Sequence, residues 1–342
     1  MVTIKDVARD AGVSVGTVSN VLNGGRVSEA RRKLVEASIE KLGYQVNTLA
    51  KGMRMQKTDY VVVILPNLIN PYFALLLDAL ESELSAVGKQ VLLCLSGDDA
   101  EREVAFMDMA KQNKVDGIIG VTYSKVEEER IENMAFVSID RHYTSHIPCV
   151  AGDNWQGGWL AAENLHKRGS TNLLCFMTMS SVDSEVRKRR VGFTEYCMEH
   201  DLSCNSVEMS EKQIVSVYES YGSRKLIHNM LRAYISPSMG EHSIDGIFTS
   251  SDHLAMIVQE ELEEMGKRVP EDIQIIGYDG LQFLNQGKPI VSSIAQPVHE
   301  IAKEAVRCLN ELIANGKTEG NTKIPVSFQE GPTTKTLVTE EK

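Results

Sequence analysis

Over the first 45 positions apolar residues recur at helical spacing. Ile4, Val7, Ala8 and Ala11 stand at i, i+3, i+4 and i+7, which draws one apolar stripe along a short helix. Gly12 ends that stripe with the backbone freedom of a tight turn, and Val13 plugs the gap between helices. Ser14 is a good N-cap for a second helix from Val15 to about Asn23. In that helix Val18, Val21 and Leu22 point inward, leaving Val15, Gly16, Thr17, Ser19 and Asn20 outward. A third helix, capped by Ser28, is expected to bury Leu34, Val35, Ser38 and Leu42 and to stop at Gly43. The pattern predicts a three-helix head with helix-turn-helix spacing.

From residue 60 the pattern changes. Short β-rich runs occur at Tyr60 to Leu65, Gln90 to Leu95, Gly117 to Val121, Ala135 to Ile139, Leu173 to Met177, Gly246 to Ser250 and Ile273 to Tyr278, with amphipathic helical stretches between most of them. Such alternation implies parallel sheets wound by helices. The expected fold class is therefore α/β, a small helical head followed by two α/β subdomains with a cleft between them. The boundaries are 1–45 for the head, 46–59 for a linker and 60–330 for the α/β body. Within the body the first subdomain spans about 60–160 plus a C-terminal return, and the second about 161–290. The polar stretch 331–342 reads as a frayed tail.

Charge divides along the same line. The chain of 342 residues carries a net charge of -11, yet residues 1–59 hold ten Lys and Arg against six Asp and Glu, which leaves -15 on the remainder. A basic head can neutralise phosphates while an acidic body avoids non-specific contact with nucleic acid. The six cysteines are scattered, without a Cys-x-x-Cys pair or zinc spacing. They read as reduced packing residues, with an isolated reactive thiol as the alternative. No apolar run is long enough to span a bilayer, and Met1 to Asp10 lacks the apolar core of a secretory signal. The expectation is a cytoplasmic protein without a membrane partner, metal or cofactor.

The run TIKDVARDAGVSVGTVSNVLNG, followed by VSEARRKLVEASIEKLGY and VNTLAKGMR, resembles the lac repressor and purine repressor family of bacterial transcription regulators along its whole DNA-binding head. The resemblance implies a repressor that dimerises through its sensor, reads a pseudo-palindromic operator and answers a small effector, a sugar or sugar derivative. It also implies that the body has the architecture of periplasmic sugar-binding proteins. Residues at the start of the second helix are placed to reach base edges in a major groove. By resemblance these are Val15, Gly16 and Asn20, with Thr17 and Ser19 nearer the phosphates, and Thr3, Ser14 and Asn23 completing the DNA-facing set. Many family members carry Arg where this chain has Asn20, and Asn pairs best with adenine rather than guanine. In the hinge segment Met53 occupies the position of the family's minor-groove lever, Asn47 opens the segment, and Ala50 is small enough for two such helices to pack closely. Val46 and Lys51 replace the family's usual Pro and Arg. No leucine-heptad tail closes the chain, so a tetramer formed by such a tail is not expected.

Effector contacts are expected at strand carboxyl ends, where α/β folds bind ligands. Asn70 and Pro71 can start a helix after the first strand, and Tyr72 and Phe73 offer aromatic faces to a sugar ring. Asp140 and Arg141 follow the strand AFVSI. By resemblance Arg189 is the arginine that reaches into the cleft and Asp252 an effector carboxylate; together they are expected to face the effector from opposite walls. Asp279, in GYDG, joins the set, although its position suggests a structural or hinge role. Arg and Asp forks suit vicinal hydroxyls, which donate to carboxylate and accept from guanidinium. Signatures of nucleotide binding, hydrolase elbows and zinc peptidases are absent from the sequence, so an enzyme is not expected. An exported sugar-binding module explains the body but not the head.

Overall fold

The computed structural model describes residues 2–22, 24–44, 58–97, 99–122, 131, 134–143, 146–179, 182–235, 243–282, 286–318 and 320–337. The sequence-based assignments at Asn23, Asn47, Ala50 and Met53 lie outside the described residues. The chain divides into two compact units, Met1–Thr58 and Asp59–Lys342.

The first unit holds α1 (Ile4–Asp10), α2 (Val15–Leu22) and α3 (Glu29–Leu42). The Asp6 carboxylate accepts from the Thr3 N–H at 3.0 Å and the Thr3 hydroxyl at 2.7 Å, which closes the start of α1. Gly12 takes φ +63 in the turn, and the Ser14 hydroxyl oxygen accepts the Thr17 N–H at 3.1 Å as the cap of α2. Val7, Ala8, Val18, Val21 and Val35 form the core, with Val13 and Val15 packed against it. Asp10 ties α1 to α3 by accepting from Ser38 at 2.9 Å and Lys41 at 2.7 Å. Two expectations need correction. Leu34 is 55% exposed, because Val35, Ser38 and Leu42 already fill the one inward stripe that α3 presents. Val15 is half-buried against the head core rather than fully outward.

In the second unit β1 (Tyr60–Leu65), β2 (Gln90–Leu95), β3 (Gly117–Gly120), β4 (Phe136–Ile139), β5 (Cys149–Gly152) and β11 (Thr322–Ile324) pair in parallel in the order β2-β1-β3-β4-β5-β11. A second sheet contains β6 (Asn172–Met179), β7 (Ser203–Ser210), β8 (Gly246–Thr249), β9 (Gln274–Asp279), β10 (Ser292–Ala295) and β12 (Ser327–Gln329). Its order is β7-β6-β8-β9-β10-β12, with β12 antiparallel to β10. Of the first-sheet helices, α4 (Pro71–Ala86) and the return helix α11 (Val298–Asn315) share one core, while α5 (Ala100–Gln112) packs on the opposite face. Of the second-sheet helices, α6 (Asn154–Lys167) and α7 (Lys188–Glu199) cover one face; α8 (Glu211–Glu219), α9 (Lys225–Ile235) and α10 (Asp252–Glu264) cover the other. Strands buried on both faces explain the near-continuous apolar runs YVVVIL and QIIGYD.

Among the described residues the chain passes between the sheets at 152–154, 295–298 and 324–327. The expected boundaries therefore shift. α6 packs into the second core, so the first passage comes at Asp153 rather than near 160, and β10 and β12 carry the second subdomain beyond 290. Nor do residues 331–335 fray. The Thr333 hydroxyl donates to the Ile275 carbonyl at 2.7 Å and accepts the Ser292 N–H at 2.9 Å, while the Lys335 N–H donates to Gln274 at 2.9 Å. These bonds satisfy backbone groups between β9 and β10, and Thr333 is fully buried.

α6 and α7 approach unusually closely. A Cβ on Gly158 would stand 1.8 Å from the Arg189 carbonyl oxygen, and one on Gly192 would stand 2.0 Å from the Trp155 carbonyl oxygen. Glycine at both contacts lets the backbones touch, which sets the position of Arg189 on the first turn of α7.

Candidate effector-binding cleft

The carboxyl ends of strands from both sheets meet around a cleft of about 810 Å³, solvent-open mouth included. The first subdomain contributes Asn67, Asn70, Tyr72, Phe73 and Asp140. The second contributes Thr178, Ser184, Arg187, Arg189, Ile214, Tyr218, Ser250, Ser251 and Asp279, and Gln296 enters from the second passage. Asn70 caps α4 by accepting the Tyr72 N–H at 3.1 Å, which seats Tyr72 and Phe73 edge to face with centroids 5.4 Å apart.

Arg189 is the centre of the polar network. Only 5% exposed, it donates from Nε to the Asn154 side-chain oxygen at 2.6 Å and from Nη1 to the Ser250 carbonyl at 2.8 Å. Its guanidinium lies 3.5 Å above the Tyr278 ring. Asn154 in turn donates to Asp140 at 3.3 Å and to the Gly152 carbonyl at 3.0 Å. Burial pushes the Asp140 carboxyl up, opposed by the Arg189 charge. Asp279 is pushed up to about 7 by burial, opposed by the Arg189 charge, by the Gln296 amide, which donates to Asp279 Oδ1 at 2.8 Å, and by Asn70. Asn70 and Asp279 belong to different subdomains, and both line the cleft.

Beyond these, the Tyr218 and Ser251 hydroxyls bond at 2.9 Å, and Tyr218 stacks on His253 with centroids 3.9 Å apart. Three buried oxygens lining the cleft, Ser184 Oγ, Gln296 Oε1 and Asp279 Oδ2, have no hydrogen-bond partner among the described residues. Buried polar atoms of this kind ordinarily find a partner.

Six of the eight expected effector residues thus line the cleft: Asn70, Tyr72, Phe73, Asp140, Arg189 and Asp279. Arg141 does not. Asp140 takes φ +59, and this left-handed step turns successive side chains apart. Arg141 leaves the cleft, bonds Thr122 at 3.2 Å and covers the Tyr143 ring at 4.1 Å. Asp252 is also outside it. Only 1% exposed, it accepts the Leu281 N–H at 2.7 Å and the Ser293 hydroxyl at 2.6 Å, holding the ends of β9 and β10 together. Arg189 and Asp252 both belong to the second subdomain and do not face one another as opposite walls; the carboxyl groups lining the cleft among the described residues are those of Asp140 and Asp279. Ser184, Tyr218, Ser251 and Gln296 escaped sequence reasoning. Ser251, beside the selected Asp252, was accessible to it through its place after a strand.

In the head, Gly16 and Asn20 are exposed at the start and middle of α2, with Thr17 and Ser19 half-buried. Among the described residues no helix is long and apolar enough to cross a membrane.

Comparison with known proteins bears on both units. Residues 3–47 match bacterial regulatory proteins of the lacI family, and residues 162–334 match the periplasmic binding protein-like domain. A sucrose operon repressor of Pediococcus pentosaceus is 32% identical over 96% of this chain and 98% of its own length. A ribose operon repressor of Halalkalibacterium halodurans is 32% identical over 90% of this chain and 89% of its own length. Among solved structures, the lac repressor dimer bound to operator and the anti-inducer ONPF superimposes with a TM-score of 0.79 over 97% of this chain and 98% of that one, at 22% identity; this likeness shows the fold. A periplasmic binding protein/LacI transcriptional regulator from Alkaliphilus metalliredigens QYMF, complexed with D-xylulofuranose, gives 0.69 over 81% of this chain and 100% of that one, at 26% identity. With 32% identity to an operon repressor along nearly the whole of both chains, and a matching head and body in sequence order, the chain belongs to the lacI family of bacterial regulatory proteins.

Proposed function

We propose that this chain is a transcription repressor whose affinity for operator DNA is set by a sugar or sugar derivative bound in the cleft. The carrying observation is the convergence of Arg189, Asp140 and Asp279 with two unpartnered buried oxygens, Ser184 Oγ and Gln296 Oε1. Vicinal hydroxyls satisfy that set, since each can donate to a carboxylate or amide oxygen and accept from a guanidinium. Tyr72 and Phe73 supply apolar surface for the ring. The names of the sucrose and ribose operon repressors point to the same chemistry. A ligand touching both subdomains favours one closure state, and that state sets how two heads of a dimer meet two half-sites. Gly16 and Asn20 reach base edges in this reading, and residues 46–59 form the hinge, with Met53 as its minor-groove wedge. The protein then works in the cytoplasm, with operator DNA, one effector and a second copy of itself as partners.

A thermal-shift panel of sugars, sugar acids and purines, followed by operator titrations with and without any hit, tests this. At least one sugar should raise the melting temperature and change operator affinity. A response confined to purines would sink the sugar reading, and operator binding indifferent to salt would sink the DNA reading.

A further inference from the structure

The single turn Glu185–Arg187 leads from β6 into α7; Ser184, Val186 and Arg187 line the cleft, and Glu185 is fully buried beside them. Glu185 belongs to the second subdomain, but its bonds reach into the first. Its N–H donates to the Asp140 carbonyl at 2.9 Å. His142, three residues after β4, donates from Nε2 to Glu185 Oε1, and Lys323, on β11, places its Nζ 3.8 Å from Oε2. From its own subdomain, among the described residues, Glu185 receives one cation. This is Lys188, on the first turn of α7, which donates to the same Oε1. The carboxylate is 1% exposed, whereas His142, Lys188 and Lys323 all reach solvent.

We infer that Glu185 is a positioning residue for the effector response: by bonding His142 and Lys323 it holds the two subdomains in the arrangement that brings Asp140 and Arg189 to one cleft. This rests on the reading of the cleft as an effector site. A buried carboxylate is tolerated only while it is paired. When the subdomains part, His142 and Lys323 leave with the first sheet and Lys188 alone remains, so the free energy of Glu185 depends on closure. A residue that is better paired in one of two arrangements biases their equilibrium, and a ligand touching both walls draws on the same bias. The His142 bond needs only an Nε2 hydrogen, which the neutral ring can carry as well as the charged one. The Glu185 N–H adds a second tie at Asp140, whose left-handed backbone directs its side chain into the cleft.

Hydrogen exchange of the full-length protein without sugar tests this, because the Glu185 amide is itself one of the bonds between the subdomains. Glu185→Gln removes the charge at nearly constant shape, and Lys323→Met changes a side chain that is 45% exposed, so the fold should survive both. Each should speed exchange in the peptide 182–187 several-fold, and the double variant should add little to either. Lys188→Met removes the cation of the same subdomain and spares the crossing bonds, so exchange there should stay at the wild-type rate. Calorimetric titration with ribose and with sucrose is the second arm. A sugar that binds wild type should bind Glu185→Gln and Lys323→Met several-fold more weakly. Wild type that takes neither sugar counts against the effector reading for those two sugars, and exchange alone then decides the role of Glu185. The proposal is overturned if exchange at 182–187 is unchanged in Glu185→Gln and Lys323→Met. It is equally overturned if Lys188→Met speeds exchange as much as Lys323→Met, which would make the cluster local support for the turn, or if a sugar that binds wild type binds both variants equally well.

Discussion

Replacing Arg189 with Ala should remove effector response and also destabilise the body, because this residue is both a cleft wall and a structural tie. The side chain is 95% buried and bonds the Asn154 oxygen at 2.6 Å and the Ser250 carbonyl at 2.8 Å. Its loss takes the guanidinium donor from the Ser250 carbonyl, leaves the Asn154 oxygen with only the longer 3.4 Å bond from the Tyr278 hydroxyl, and strips a compensating cation from Asp140 and Asp279. Breaking a buried charge network costs about 3–5 kcal/mol, and proton uptake by the orphaned carboxyls keeps the loss from exceeding that range. Both tryptophans, Trp155 and Trp159, lie on α6 against α7, so urea unfolding followed by their fluorescence reports the region directly. The unfolding midpoint should fall with an unchanged slope. The head is a separate compact unit, so operator binding without effector should survive at a temperature where the variant is still folded. Arg189→Lys should recover part of the stability but not the effector response, since an ammonium cannot reproduce the fork. A loss below about 1 kcal/mol together with a wild-type effector response would refute the reasoning.

Asp279 is held protonated by burial up to about pH 7, so the native state binds a proton that the unfolded chain has already released. Stability should therefore fall as pH rises from about 4 toward 7. Asp140 and Asp252 shift in the same direction, so the difference between wild type and Asp279→Asn isolates this group; identical pH profiles for the two proteins would count against it. Asp252→Ala should cost about 2–5 kcal/mol by stranding the Leu281 N–H and the Ser293 hydroxyl, whereas Asp252→Asn should be nearly neutral and keep the effector response. Loss of response in a stable Asp252→Asn would return that residue to the cleft. Gly158→Ala should cost about 1–3 kcal/mol and weaken effector binding by pushing α7 outward, measured by denaturation and by ligand-induced thermal shift. A silent substitution there would mean that the backbone contact does not position Arg189.

The amino-acid sequence by itself determined what depends on local pattern. Stripes at Val7 and Ala8 and at Val18 and Val21, the turn at Gly12 and the cap at Ser14 specify the head, because each is settled within one or two helical turns. The strands β1 and β2 were legible to their end residues, since both are short β-rich apolar runs, β1 buried along its length and β2 a half-exposed edge. The polar edge strand SCNSVEMS and the short β5, β10, β11 and β12 carried no such signal, being defined by their neighbours. Tertiary structure alone decided the three passages between sheets, the burial of Thr333 and the membership of the cleft. Lying after a strand brings a residue to the right edge of a sheet, but not onto the right wall. At 140 and 141 a left-handed backbone step sends Asp140 into the cleft and Arg141 away from it. At 251 and 252 the start of α10 leaves Ser251 at the cleft and turns Asp252 back under the sheet, where Leu281 and Ser293 from distant sequence claim its carboxyl. Which of two adjacent polar residues meets a ligand depends on what the rest of the chain has already bonded, and that is settled only when both sheets have closed around the site.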